Sequence, residues 1–147
     1  MAERKTTSES GLSAAERKAV RQAAAEGRRT KSGKNTEQDV LDAIAAMDGS
    51  DREIAEGLHQ LVRRVAPDLM PRTWYGFPAY AKDGKVVLFW QLAGKFKTRY
   101  GHIGFQEDAQ LDDGTMWPTA FAITEWSKAN EEAVEALVRR AVGAAGA

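Results

Sequence analysis

Apolar residues recur at helical spacing in three stretches of the chain. In the first, Val40, Leu41, Ile44 and Met47 follow Thr36, an N-cap candidate, and Asp48-Gly49 stops the helix. In the second, Ser50 and Glu53 stand in capping-box spacing ahead of Ile54, Leu58, Leu61, Val62 and Val65, the strongest stripe in the chain, and Pro67 closes it. The third, Ala133, Val134, Leu137, Val138 and Ala141, follows Ser127 as its cap. Between the second and third stripes the period falls to two. Asp83-Gly84 accepts the positive φ of a tight turn and joins the aromatic stretch ending at Tyr80 to Val86-Val87-Leu88-Phe89-Trp90 as a hairpin. Residues 97–105 and 119–124 read as further strands, with 106–118 a long polar loop. Alternation puts Val87, Phe89 and Gln91 on one face of their strand and Val86, Leu88, Trp90 and Leu92 on the other. The second set is more apolar, so Trp90 is expected to face the helices. Strands grouped together with helices at both ends predict an α+β fold: a twisted antiparallel sheet with helices on one face.

The first 36 residues do not share this pattern. Ser13 and Glu16 form a second capping-box spacing, and 14–28 is rich in helix formers. Leu12 and Val20 are its only large aliphatic residues, so a helix there has little with which to dock, and an isolated helix of this length is marginal in water. Residues 27–36 read as a linker. The expected organisation is a mobile arm over 1–36, an α+β body over 37–142 and a frayed tail over 143–147.

Charge sharpens that division. The 147 residues carry 21 Lys+Arg and 21 Asp+Glu, for a net charge of zero. The arm holds nine basic and four acidic residues, a surplus of five positive charges, and the body balances it. Hydrophobic residues at 43% and charged residues at 29% are ordinary for a globular chain. No apolar run approaches the roughly 18–20 residues of a membrane span. The first residues lack an apolar signal core, so a cytoplasmic location is expected. The absence of cysteine excludes disulfides, thiolate catalysis and Cys-ligated metal centres.

Candidate chemistry is sparse. No nucleophile elbow and no glycine-rich phosphate loop is present. The histidines, His59 and His102, are far apart in sequence. His59 reads as a helix-surface residue, while His102 lies in a strand near aromatics, where it can serve as a proton carrier or ligand. Carboxylates gather near helix starts, including Glu131, Glu132 and Glu135, where they offset the helix dipole and also offer hard oxygen ligands. Ten aromatic residues fall within 74–117. Most are needed for a core, and the surplus suits a ligand pocket. Tyr75 and Tyr80 would point to opposite faces of a regular strand, but Gly76 and Pro78 favour a bulge that re-aims one of them. Tyr75, Tyr80, His102 and Trp117 are therefore the candidate ligand-binding group.

The motif Tyr75-Gly76-Phe77-Pro78-Ala79-Tyr80, with Ala66-Pro67-Asp68 before it and Asp83-Gly84-Lys85-Val86-Val87 after it, resembles the signature of the YdhG-like family of small bacterial domains. Phe77 stands where that family commonly has Met. Leu111-Asp112-Asp113-Gly114 and Met116-Trp117-Pro118-Thr119 are similar to a subgroup of it. The resemblance covers roughly residues 37–142. It implies an α+β fold and, through one branch, a frataxin-like role in which carboxylates hold iron; here the metal candidates are Glu131, Glu132 and Glu135. The function expected from the sequence is a non-enzymatic cytoplasmic binding protein for iron or a small ligand. The alternative is an interaction module whose basic arm docks on nucleic acid or an acidic protein.

Overall fold

The structure, a computed structural model, describes residues 11–31 and 35–143; the expectations for 1–10, 32–34 and 144–147 lie outside the described residues. Its elements run α1 (Ala14–Lys31), α2 (Glu37–Ala45), α3 (Gly49–Val65), β1 (Met70–Trp74), β2 (Phe77–Lys82), β3 (Lys85–Gln91), the single helical turn α4 (Ala93–Phe96), β4 (Gly101–Phe105), β5 (Ala120–Ile123) and α5 (Lys128–Ala141). The five strands form one antiparallel sheet in the order β1-β2-β3-β4-β5. This is the α+β architecture that the change of period indicates.

Local chemistry accounts for most boundaries. Thr36 and Asp39 close a reciprocal capping box on α2, and Ser127 accepts the amide of Asn130 at the start of α5. α3 begins two residues earlier than Ser50 suggests: Asp48, in extended conformation, is its N-cap. Asp83 and Gly84 both have positive φ, as a two-residue hairpin requires. β4 is shorter than the 97–105 reading, because Ala93–Phe96 winds into a helical turn ended by Lys97 in the left-handed region. The bulge expected from Gly76 and Pro78 does not form there: Tyr75 and Gly76, both at positive φ, make the turn that joins β1 to β2, and the register shift falls instead between Tyr80 and Ala81, opposite an extra residue at Val87.

Register assigns the two faces. Tyr80, Leu88 and Phe105 align across three strands, and Trp90 pairs with Ile103 across β3 and β4. This face meets α2 and α3: Trp90 Nε1 donates to the Asp51 carbonyl, and Tyr80 meets His59. Trp90, Tyr80, Leu58 and Leu88 are fully buried there, and α5 packs on α3. The opposite face carries Trp74, Phe77, Ala79, Phe89, Gln91 and His102.

The arm departs from expectation. Residues 14–31 form one helix that continues through the presumed linker start at Gly27 and packs on β1 and α4. Small and polar groups replace the large aliphatics a docked helix usually offers. Ala19 is buried, and Glu26 Oε1 accepts the Gly76 amide at 2.8 Å. Lys95 Nζ bridges Gln22 Oε1 and the Tyr75 carbonyl, each at 2.6 Å, and Arg29 pairs with Asp39 of α2 at 2.6 Å. Hydrophobic patterning is blind to such anchors. Helices therefore lie on both sides of the sheet rather than one.

Candidate functional site

The face turned away from α2 and α3 holds a continuous set of rings. Phe89 on β3 lies 5.2 Å from Trp74 and 5.5 Å from Phe77 between centroids. Trp74 meets Tyr75 edge-on at 4.8 Å, and Phe77 meets Phe96 of α4 at 6.2 Å. Edge-to-face and tilted contacts of this kind add to the area the rings bury. Phe89 can lie flat because its cross-strand partner is Gly104: a Cβ there would run into the Phe89 ring.

α1 stands over these rings and converts the face into a cleft of about 440 Å³. Leu12, Glu16, Ala19 and Val20 form its helical wall. Trp74, Tyr75, Phe77, Phe89 and Phe96 form the aromatic floor and sides, with Gln91 and Thr98 as polar groups. An apolar concavity with a few polar groups is the usual form of a small-molecule site, and 440 Å³ lies in the customary size range.

The turn at its edge is strained. Tyr75 has φ +52 and Gly76 φ +82, between Trp74 and Phe77, which are paired. Glycine adopts this geometry freely, but a tyrosine there costs on the order of 1–3 kcal/mol. The Lys95 bond to the Tyr75 carbonyl and the Glu26 bond to the Gly76 amide hold the turn in place. The strained residue, the anchors of α1 and the cleft wall thus meet at one point.

Burial sets the electrostatics beside the cleft. Desolvation raises the pKa of Glu26 above its ordinary 4.5, and the Gly76 amide, Thr73, Lys95 and Arg72 only partly offset it. Desolvation also lowers Lys95, partly offset by Glu26. A carboxyl raised in the folded state binds its proton more tightly there, so its contribution is most favourable below pH 4.5 and is lost as pH rises through the raised value. Glu26→Gln keeps an acceptor for the Gly76 amide and removes this titration. Urea unfolding at a series of pH values is expected to show a smaller loss of stability above pH 4.5 in the variant than in the parent. Identical pH profiles would contradict the assignment.

The four sequence-derived ligand residues separate. Tyr75 lines the cleft. His102 shares its face and packs edge-on against Phe89 at 5.7 Å, behind the lining; burial lowers its pKa. Trp117 packs against the core outside the lining. Tyr80 points the other way. Its hydroxyl lies 2.9 Å from His59 Nδ1, while His59 Nε2 lies 2.9 Å from Glu37 Oε1, which also meets Arg63 at 3.3 Å. A carboxylate only accepts, so Nε2 donates to Glu37, and Nδ1 and the Tyr80 hydroxyl share the second hydrogen bond. Burial, then the Glu37 charge, push the Tyr80 phenol far up, so it stays protonated. His59 is thus a buried link between sheet and helices, not the helix-surface residue its sequence context indicates.

The carboxylates of α5 are committed elsewhere. Glu135 bonds Arg64 at 2.9 Å and Arg139 at 3.2 Å, and these guanidinium groups hold its pKa below the usual range. Glu131 lies 3.9 Å from the same Arg64. Among the described residues, no group of three or more His, Asp or Glu side chains is placed to hold a metal ion, so Glu131, Glu132 and Glu135 do not form the expected metal set.

Phe77, Phe89, Phe96 and the α1 wall were missing from the sequence-derived site. Alternation had already placed Phe89 and Gln91 together away from the helices, and that was the signal available. No family model, curated protein or solved structure matches the chain. Among the described residues, no helix is long and apolar enough to cross a membrane.

Proposed function

We propose that this chain is a non-enzymatic, cytoplasmic small-ligand-binding protein whose site is the aromatic cleft between α1 and the sheet. The observation that carries this reading is the grouping of five aromatic side chains around about 440 Å³ of open space beneath a helix held by polar anchors. Binding is favoured over catalysis by the lining itself. Among the described residues, its one titratable group besides the Tyr75 phenol is Glu16, and the Tyr80-His59-Glu37 chain lies on the opposite face, outside the cleft lining. Iron is not part of the proposal, because Glu131 and Glu135 face arginines and, among the described residues, no group of three metal-ligating side chains is gathered. The YdhG-like relationship stays part of it, carried by the motif from Tyr75 to Tyr80. The arm's own geometry also favours the cleft over docking to an outside partner, since Gln22, Glu26 and Arg29 bind the body.

A neutral fluorescent probe, N-phenyl-1-naphthylamine, tests the reading. The full chain is expected to bind one equivalent saturably, and Trp74→Ala and Val20→Asp, which alter opposite walls, are each expected to weaken binding about tenfold or more. Binding of equal strength in the parent and both variants would overturn the assignment.

A further inference from the structure

The cleft's lining also constrains the charge of its occupant. Among the described residues, Glu16 is the one charged residue in the lining, and none of the described arginines or lysines of the arm takes part. The remaining surface is dominated by aromatic rings, whose faces carry the negative lobe of the quadrupole and attract cations. The protein already uses this attraction twice among its described residues: Lys95 Nζ lies 5.7 Å from the Phe96 centroid while tied to Gln22 and the Tyr75 carbonyl, and the Arg99 guanidinium lies 4.8 Å from the Tyr100 centroid. An anion entering the cleft would meet a carboxylate and aromatic rings, with no cation among the described lining residues to receive it. A neutral apolar body would fill the space without using Glu16.

We infer that the natural ligand is an organic cation, a quaternary ammonium or protonated amine on an apolar body. This rests on the cleft being a ligand site and adds the charge class. The ring faces of the floor receive the apolar body and the cationic head, and Glu16, at the first turn of α1, supplies the counter-charge at the rim. Glu16 is held in position by its own capping box: its amide donates to Ser13 Oγ at 3.0 Å, and its carboxylate accepts the Ser13 amide at 3.4 Å. Glutamine serves the same capping role, so Glu16→Gln removes charge while keeping the helix start.

The test is displacement of N-phenyl-1-naphthylamine at low ionic strength by three compounds of closely similar shape: benzyltrimethylammonium, the neutral neopentylbenzene and the anionic phenylmethanesulfonate. The cation is expected to displace the probe about tenfold more effectively than the neutral isostere, with the anion weakest. Glu16→Gln is expected to reduce the advantage of the cation over the neutral compound about threefold. Equal displacement by the cation and the neutral compound, or preference for the anion, would overturn the charge class while the bound probe still supports the site. An unchanged selectivity in Glu16→Gln would overturn the role of Glu16. A probe that does not bind the parent at all would overturn the site itself, and the charge class with it.

Discussion

Phe89→Ala is expected to cost about 3–5 kcal/mol of stability, the range for removing a buried aromatic side chain, and to abolish binding at the cleft. Phe89 is 8% exposed and touches Trp74, Phe77 and His102, so its ring joins the three strands β1, β2 and β4 to β3 on that face. Its loss leaves a cavity that the rigid neighbours cannot close, because two of them are themselves large rings packed on the sheet. Urea unfolding measures the stability change, and titration with the fluorescent probe measures the binding. Phe89→Leu separates the two effects, since it keeps most of the buried apolar volume and removes the ring face. It is expected to unfold with a loss of about 1–2 kcal/mol and still to bind the probe at least severalfold more weakly. Probe affinity equal to the parent's in a folded Phe89→Leu would show that the ring is not part of the site.

Gly101→Ala is expected to destabilise the chain by about 3 kcal/mol, toward the upper end for overpacking, without altering the cleft directly. A Cβ on Gly101 would sit 2.6 Å from the Gln91 main-chain carbonyl and would also run into the Trp90 ring. Neither can give way easily. The carbonyl belongs to the end of β3, and Trp90 is fully buried with its indole nitrogen bonded to the Asp51 carbonyl. A backbone collision separates this site from a flexible one, where a long side chain would swing aside. A melting curve for the variant within about 1 kcal/mol of the parent would contradict the register that pairs β3 with β4 here.

The parts of the fold legible in the sequence are those governed by local chemistry or by periodicity. Asp83-Gly84, Thr36 and Ser127 act within a few residues of themselves, and Ile54, Leu58 and Leu61 mark one helix face by spacing alone. Alternation in β3 sorted Trp90 from Phe89 correctly, because a one-residue step reverses the face in any strand. The rest depends on groups distant in sequence. Tyr75 looked like a strand residue, since tyrosine rarely takes positive φ; only the Lys95 and Glu26 contacts, from 20 and 50 residues away, hold it in the turn. α1 looked undocked because its anchors are Gln22, Glu26, Arg29 and the small Ala19, residues that resemble a solvated surface until their partners are known. The same difficulty concealed the cleft. Its floor was present in the aromatic count, but its roof came from the segment that patterning set aside. His59 and Tyr80 illustrate the converse: in isolation His59 reads as a surface residue and Tyr80 as a ligand group, and together with Glu37 they make a satisfied buried link.

The four tryptophans provide the most direct test, because one lines the cleft and three do not. In an indole N–H nuclear magnetic resonance titration of the full chain with N-phenyl-1-naphthylamine, the expected result is a saturable shift of the Trp74 resonance, with those of Trp90, Trp117 and Trp126 nearly unmoved. A stationary Trp74 resonance while any of the other three shifts with the probe would contradict the placement of the ligand site beneath α1.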